Sequence, residues 1–182
     1  MHRLKIFLYA VIISSFVPII ASGQDAFAAL QFLVGNWEAE PSPAVTMAKT
    51  DFALDLQGKA IVRHNHAEYP PAAGKPGYTH DDLLVVYREV KPAATKGLYL
   101  DSAGYYARYT VTSKGPGQAE FVSDVIPGFP RYRTTYGLLP DGRLSTTIEV
   151  SPAGKANAYA PFLQWISKRV GGSSSPSPAS KP

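Results

Sequence analysis

Between Phe52 and Val150 the chain alternates apolar and polar residues in short stretches that are separated by glycine and proline. An alternation with a period of two is typical of a β-strand with one buried face, and glycine and proline mark the turns. No stretch between the strands shows the longer period of a crossover helix, which parallel neighbours would need. The strands are therefore expected to follow one another as an antiparallel meander.

With one further strand before Phe52, directly after a short predicted helix over 25–34, the chain contains nine strand candidates. The others are predicted around Phe52–Leu56 and at 59–68, 80–88, 97–101, 105–112, 119–125, 129–137 and 143–150. Tyr159–Val170 has apolar residues at helical spacing and predicts a short amphipathic helix, with Phe162 and Trp165 docked on the rest of the fold. Closure of a long meander removes both exposed edges. The predicted fold class is therefore all-β, an antiparallel up-and-down β-barrel of eight to ten strands with a short N-terminal and a short C-terminal helix.

The two ends of the chain differ in composition from this meander. Residues 1–23 combine a basic start, an apolar run over Ile6–Ile20 and small residues, which is the pattern of a cleaved signal peptide. The alternative is an uncleaved membrane anchor. Residues 171–182 are rich in glycine, serine and proline and predict a disordered tail. One barrel domain over 24–170 remains, and we expect it to be periplasmic or secreted, with no membrane span after cleavage.

The charge pattern argues against nucleic acid as a partner. The chain has 18 Lys and Arg residues, of which Arg3 and Lys5 lie in the predicted signal peptide, against 14 Asp and Glu residues. The mature chain is thus only slightly basic, and its cations are scattered rather than clustered. The chain has no cysteine, so neither a disulfide nor a lipid attached to cysteine can support the fold. Its stability must come from a hydrophobic core.

Gly35 and Trp37 follow the short predicted helix and precede the meander. This arrangement resembles the lipocalin/calycin superfamily, in which such a glycine and tryptophan close the base of the barrel. Further segments are similar to a group of uncharacterised secreted bacterial proteins with lipocalin-like barrels: Asp55–Asn65, His80–Leu83, Tyr99–Gly104, Ser123–Asp124 and Pro130–Arg133. The resemblance implies a barrel fold with Gly35 and Trp37 as structural residues, and it implies no activity.

Nitrobindin is a more remote relative in shape. A histidine late in its chain holds its haem, whereas the last histidine here is His80, so the resemblance implies no counterpart of that site.

The strand over 59–68 carries a candidate metal site. Alternation places His64 and His66 on one face, with Arg63 on the other, and the sequence does not decide which face points inward. His64, His66 and His80 are weak candidates for zinc ligands, since imidazoles two residues apart share a face. The alternative is a set of ordinary surface or hydrogen-bonded histidines. We predict no bound cofactor and leave haem and zinc open.

Arginine and tyrosine residues on the strands are the candidates for ligand binding. Arg131 and Arg133 share one face of a strand, and if that face points inward their guanidinium groups would hold an anionic head group. The alternatives are outward-facing cations or Arg–Asp pairs that brace the barrel. Tyrosine suits either a partly polar pocket or a sheet surface. The predicted ligand-binding residues are Arg63, Tyr109, Arg131 and Arg133.

No sequence motif indicates a catalytic residue. The chain lacks a Gly-x-Ser-x-Gly elbow, a phosphate-binding loop and a His-Glu-x-x-His helix. We therefore expect a small-molecule partner, a hydrophobic or amphipathic anionic ligand held inside the barrel, and a non-enzymatic role. The alternatives are an enzyme of the same shape with a histidine-centred site, with or without a metal, and a structural module with a filled barrel. The sequence does not assign an oligomeric state.

Overall fold

A computed structural model describes residues 27–42, 45–72, 74–155 and 157–171 of the chain. A 3₁₀ helix over Ala28–Leu33 precedes the sheet, and a single 3₁₀ turn spans Leu56–Gly58. The strands are β1 (Gly35–Ala39), β2 (Met47–Asp55), β3 (Ala60–Tyr69), β4 (Tyr78–Val90), β5 (Ala93–Asp101), β6 (Tyr106–Gly115), β7 (Gln118–Ser123), β8 (Arg131–Leu138), β9 (Leu144–Ser151) and β10 (Ala160–Arg169). The predicted signal peptide, and the predicted tail beyond Gly171, lie outside the described residues.

The ten strands form one closed antiparallel barrel in chain order. Each strand pairs with the next, and β1 pairs with β10 through Trp37 opposite Arg169, which completes the ring. Short turns suffice for this order because every neighbour is antiparallel. The prediction of an all-β up-and-down barrel is confirmed, and the closed ten-stranded barrel is consistent with a calycin-like architecture.

The predicted C-terminal helix over Tyr159–Val170 is wrong, because this segment forms β10. It pairs with β9 on one side and β1 on the other, and without it both of those strands would be open edges. A register shift between Pro161 and Leu163 breaks the alternation of the strand. Phe162 and Trp165 lie three residues apart, which is also the spacing of neighbours on one face of a helix. The structure leaves Phe162 exposed, so it does not dock on the barrel as predicted.

The N-terminal 3₁₀ helix covers one end of the barrel. Its residues Leu30 and Leu33, together with Phe27 before it, are almost completely buried. Trp37 is also buried, and its indole Nε1 donates a hydrogen bond of 2.7 Å to the carbonyl oxygen of Leu33. We call this end the closed end.

Arg169 lies across the closed end above Trp37. Its guanidinium carbon is 4.3 Å from the centroid of the indole ring, and its nitrogens donate to the carbonyl oxygens of Val34 and Phe32. Gly35 has a φ of +132°, and a Cβ atom there would lie 2.1 Å from Nη1 of Arg169. Glycine therefore avoids both a strained backbone and a clash at this position.

The hydrophobic core fills the half of the barrel next to the closed end. Its fully buried side chains on the strands include Phe52, Ile61, Val86 and Phe121. Toward the opposite end, which we call the mouth, the inward side chains become polar and aromatic and the packing opens into a cavity.

Candidate ligand-binding cavity

The cavity has a volume of about 410 Å³ and lies between the hydrophobic core and the mouth. Its volume falls within the usual range of small-molecule sites, roughly 300–1,000 Å³. Aromatic side chains make up much of its wall: Tyr69, Tyr78, Tyr99, Tyr105, Tyr109, Phe121, Tyr132, Tyr136, Phe162 and Trp165. The barrel is thus packed at one end and hollow near the other.

The strand alternation decides which predicted residues face this cavity. On β3, Arg63 and Asn65 line the cavity, so His64 and His66 point outward. On β4, His80 and Asp82 line it as well. The mixed polarity of both faces of β3 explains why the sequence alone did not assign the inward face.

A buried ion pair joins β3 to β4 at the wall of the cavity. The Arg63 guanidinium donates to the carboxylate of Asp82, and both side chains are nearly inaccessible to solvent. Arg63 also donates through Nη1 to the hydroxyl of Tyr136 on β8, at 2.7 Å. Burial alone would lower the pKa of Arg63, but interactions with Tyr136 and Asp82 outweigh that effect and raise it. The guanidinium is therefore a permanent cation whose charge is balanced by Asp82.

Asn65 extends this pair into a network. Its amide nitrogen donates to Asp82 at 3.0 Å, and its amide oxygen accepts a hydrogen bond of 2.6 Å from the hydroxyl of Thr50 on β2. The network satisfies polar groups that would otherwise be costly to bury. Asn65 was not predicted as a site residue. Its position two residues after Arg63 would have identified it once the inward face was known.

His80 begins a second polar chain, which runs toward the mouth. Its Nε2 atom lies 3.1 Å from the hydroxyl of Tyr99 and 3.6 Å from the carboxylate of Asp82. The Tyr99 hydroxyl in turn donates to Asp101 at 3.4 Å. Asp101 is anchored through its other oxygen, which accepts hydrogen bonds from the backbone of Ala103 and Tyr105. His80 and Asp101 thus belong to one polar chain along the cavity wall.

Four tyrosine rings of the cavity wall lie next to one another. The ring centroid of Tyr99 is 6.3 Å from that of Tyr105 and 6.4 Å from that of Tyr109, and the centroids of Tyr105 and Tyr132 are 6.0 Å apart. We call these four residues the tyrosine box. Burial raises the pKa of the phenols of Tyr99, Tyr105 and Tyr109, so their hydroxyls stay neutral.

Arg131 and Arg133 lie outside the barrel. Their neighbours Tyr132 and Thr134 line the cavity, so the two arginines project from the other face of β8. Arg133 forms a two-pronged ion pair with Glu149 and stacks on Tyr159, with its guanidinium carbon 4.3 Å from the ring centroid. Arg131 donates to the backbone of Ser123 and to the side chain of Asn157. The condition on which these arginines were expected to hold an anion, an inward face, is not met.

The predicted histidine candidates are also divided between the two faces. His66 is outside, with Nδ1 at 2.6 Å from Asp81, and the hydrogen bond to that carboxylate raises the pKa of His66. His80 is inside. No three His, Asp or Glu side chains among the described residues are grouped closely enough to hold a metal ion. The three histidines therefore do not form one site.

Comparisons with known proteins find no matching family model and no similar curated protein. In the part of the chain that the structure describes, none of the helices has the length and apolar character needed to cross a membrane.

Proposed function

We propose that this protein binds a small, largely apolar molecule with a polar head group inside the barrel. The observation that carries the proposal is the cavity of about 410 Å³, which combines aromatic walls with a few fixed polar groups. Apolar walls with few oriented polar groups are typical of ligand sites, because the walls supply affinity and the polar groups supply orientation. A filled structural barrel would need no such cavity.

We further propose that the protein acts in the periplasm or outside the cell and belongs with the secreted lipocalin-like proteins that it resembles. The predicted signal peptide over 1–23 and the closed barrel with Gly35 and Trp37 at one end support this placement. The route of the ligand is then through the mouth, since the 3₁₀ helix covers the other end.

A fluorescent apolar probe tests the binding proposal directly. N-phenyl-1-naphthylamine is neutral and becomes bright in apolar surroundings, so we expect a saturable signal with one site per chain. Ala67 is buried and lines the cavity. The substitution Ala67→Trp should fill the cavity and weaken probe binding by about tenfold or more.

Ala53→Trp is the matched control, because Ala53 is exposed on β2 and does not line the cavity. This variant should bind the probe as the parent protein does. Equal binding by the parent and the Ala67→Trp variant would contradict the proposal.

One observation favours a second candidate, an enzyme with His80 as general base. His80 faces the cavity and lies beside Asp82 and Tyr99, whereas His64 and His66 point away from it. Mass spectrometry of the ligand that co-purifies with the parent and with a His80→Gln variant separates the two roles. A binding protein should release the same molecule from both, and an enzyme should accumulate its substrate in the variant.

A further inference from the structure

We infer that the head group accepted by this cavity is an organic cation, a substituted ammonium, rather than a carboxylate or a phosphate. The inference rests on the proposed function and names the chemical class of its ligand. It follows from the balance of charge along the cavity wall and from the arrangement of the tyrosine box.

The cation in the cavity wall is already committed. The charge of Arg63 is balanced by Asp82, and its other terminal nitrogen, Nη1, donates a hydrogen bond to the hydroxyl of Tyr136. Its Nε atom has no hydrogen-bond partner among the described residues, but it is enclosed and offers no surface to the cavity. An anionic ligand that approached Arg63 would also meet the carboxylate of Asp82, which already balances the charge of the guanidinium.

Asp101 leaves negative charge in excess near the mouth. It lines the cavity, and its side chain makes no ion pair with a Lys, Arg or His among the described residues. Its Oδ2 atom receives only the long hydrogen bond from Tyr99, at 3.4 Å. Arg63 and Asp82 cancel each other, whereas Asp101 has no cationic partner of this kind among the described residues. Such a wall attracts a cation and repels an anion.

The tyrosine box adds a second attraction of the same sign. The faces of aromatic rings carry negative potential, and cations within about 6 Å of a ring centroid are stabilised by it. All four tyrosines line the cavity, and the ring of Tyr99 already has a cation beside it, since the guanidinium carbon of Arg63 lies 5.9 Å from its centroid. We expect the rings of the tyrosine box to contact a trimethylammonium group in the same way.

Three hydroxyl groups of the tyrosine box are also free to form hydrogen bonds with a ligand. None of the hydrogen bonds of the described residues involves the hydroxyl of Tyr105, Tyr109 or Tyr132, and Tyr109 is only 8% exposed. Oxygen lone pairs oriented toward a cavity can accept N–H donors from a partly substituted ammonium. The cavity thus offers acceptors and ring faces to its ligand.

A competition series with one shared scaffold tests the inference. N-phenyl-1-naphthylamine is displaced by 3-phenylpropyl-trimethylammonium, by its neutral tert-butyl isostere and by 4-phenylbutanoate, all of which have three methylenes between the phenyl ring and the head group. We expect the ammonium to bind about tenfold tighter than the neutral isostere, with the carboxylate the weakest of the three. Carboxylate binding equal to or tighter than ammonium binding would overturn the inference while leaving the proposed function in place. Failure of the dye and of all three competitors to bind would overturn both.

A pair of charge-removing variants locates the effect. Asp101→Asn keeps an oxygen for the backbone of Ala103 and Tyr105 but removes the charge, so the preference for ammonium over its isostere should fall about fivefold. Asp51→Asn removes the same charge outside the cavity and should leave the preference unchanged. Thermal unfolding of both variants verifies that they fold. An unchanged preference in folded Asp101→Asn would overturn the assignment.

Discussion

The guanidinium of Arg63 and the hydroxyl of Tyr136 form a hydrogen bond of 2.7 Å between two strands that are not neighbours in the barrel. Arg63 belongs to β3 and Tyr136 to β8, so the bond crosses the interior from one wall to the other. Phe52 and Phe121 hold the Tyr136 ring in edge-on contacts below it. This bond marks the boundary between the hydrophobic core and the cavity.

Removing Arg63 should destabilise the protein strongly. Arg63→Met leaves Asp82 buried without its cation, and the expected loss is about 3–5 kcal/mol of unfolding free energy. The double variant Arg63→Met with Asp82→Leu should lose less, because no charge is left alone in the wall. Urea denaturation measures both. A double variant less stable than Arg63→Met alone would show that the pair is not coupled in this way.

Removing only the hydroxyl of Tyr136 should have a smaller effect. Tyr136→Phe retains the ring contacts but leaves a buried nitrogen of Arg63 without an acceptor, at a cost of about 1–3 kcal/mol. Tyr106→Phe is the control, since Tyr106 is 61% exposed and its loss of a hydroxyl should be neutral. The same urea titration applies, and equal stability of the two variants would argue against the cross-barrel bond.

Gly35 should not tolerate a side chain. Gly35→Ala places a Cβ atom where Nη1 of Arg169 lies and forces alanine to a φ of +132°, which should cost about 1–3 kcal/mol. In an Arg169→Ala background the clash disappears and only the backbone strain remains. The penalty of Gly35→Ala, measured by thermal unfolding, should therefore be smaller in that background, and an unchanged penalty would assign all of it to the backbone.

His66 should titrate above its usual value of 6.5, because it is hydrogen-bonded to Asp81. When folding raises the pKa of a group, the protonated group stabilises the folded state. This stabilisation is fully present below the pKa of the unfolded chain, and it is lost as the pH rises through the pKa of the folded protein. The stabilising effect of Asp81 should therefore be largest below pH 6.5 and disappear in more alkaline solution. The His66 ring signals in NMR follow the titration, and Asp81→Asn should shift the pKa back toward 6.5. No shift in that variant would contradict the assigned cause.

The barrel could be predicted because its information is local. Turns such as Pro140–Gly142 separate stretches with a period of two, and short connections leave only antiparallel order. The strand β10 was not predicted as a strand, because the register shift at Pro161 disturbs its period and because its pairing with β1 joins the two ends of the fold. Local periodicity carries no information about a pairing between segments so far apart in the sequence.

The candidate site was only partly predictable for a related reason. A hydrophobic core identifies the inward face of a strand by contrast with polar neighbours, but on several strands polar residues such as Arg63 and His80 also face this cavity. Arg63 and His64 therefore gave no contrast, and neither did Arg131 with Tyr132. The predicted ligand residues Arg63 and Tyr109 do line the cavity, whereas Arg131 and Arg133 lie on the outer surface.

The pairing of Trp37 with Arg169 has a practical consequence for handling the protein. Since β1 begins and β10 ends at the closed end, the chain enters and leaves the barrel at the pole opposite the mouth. A tag or a sensor surface joined directly before the 3₁₀ helix or directly after Gly171 is therefore attached at that pole. Protein immobilised at either of these points presents its entrance to the solution.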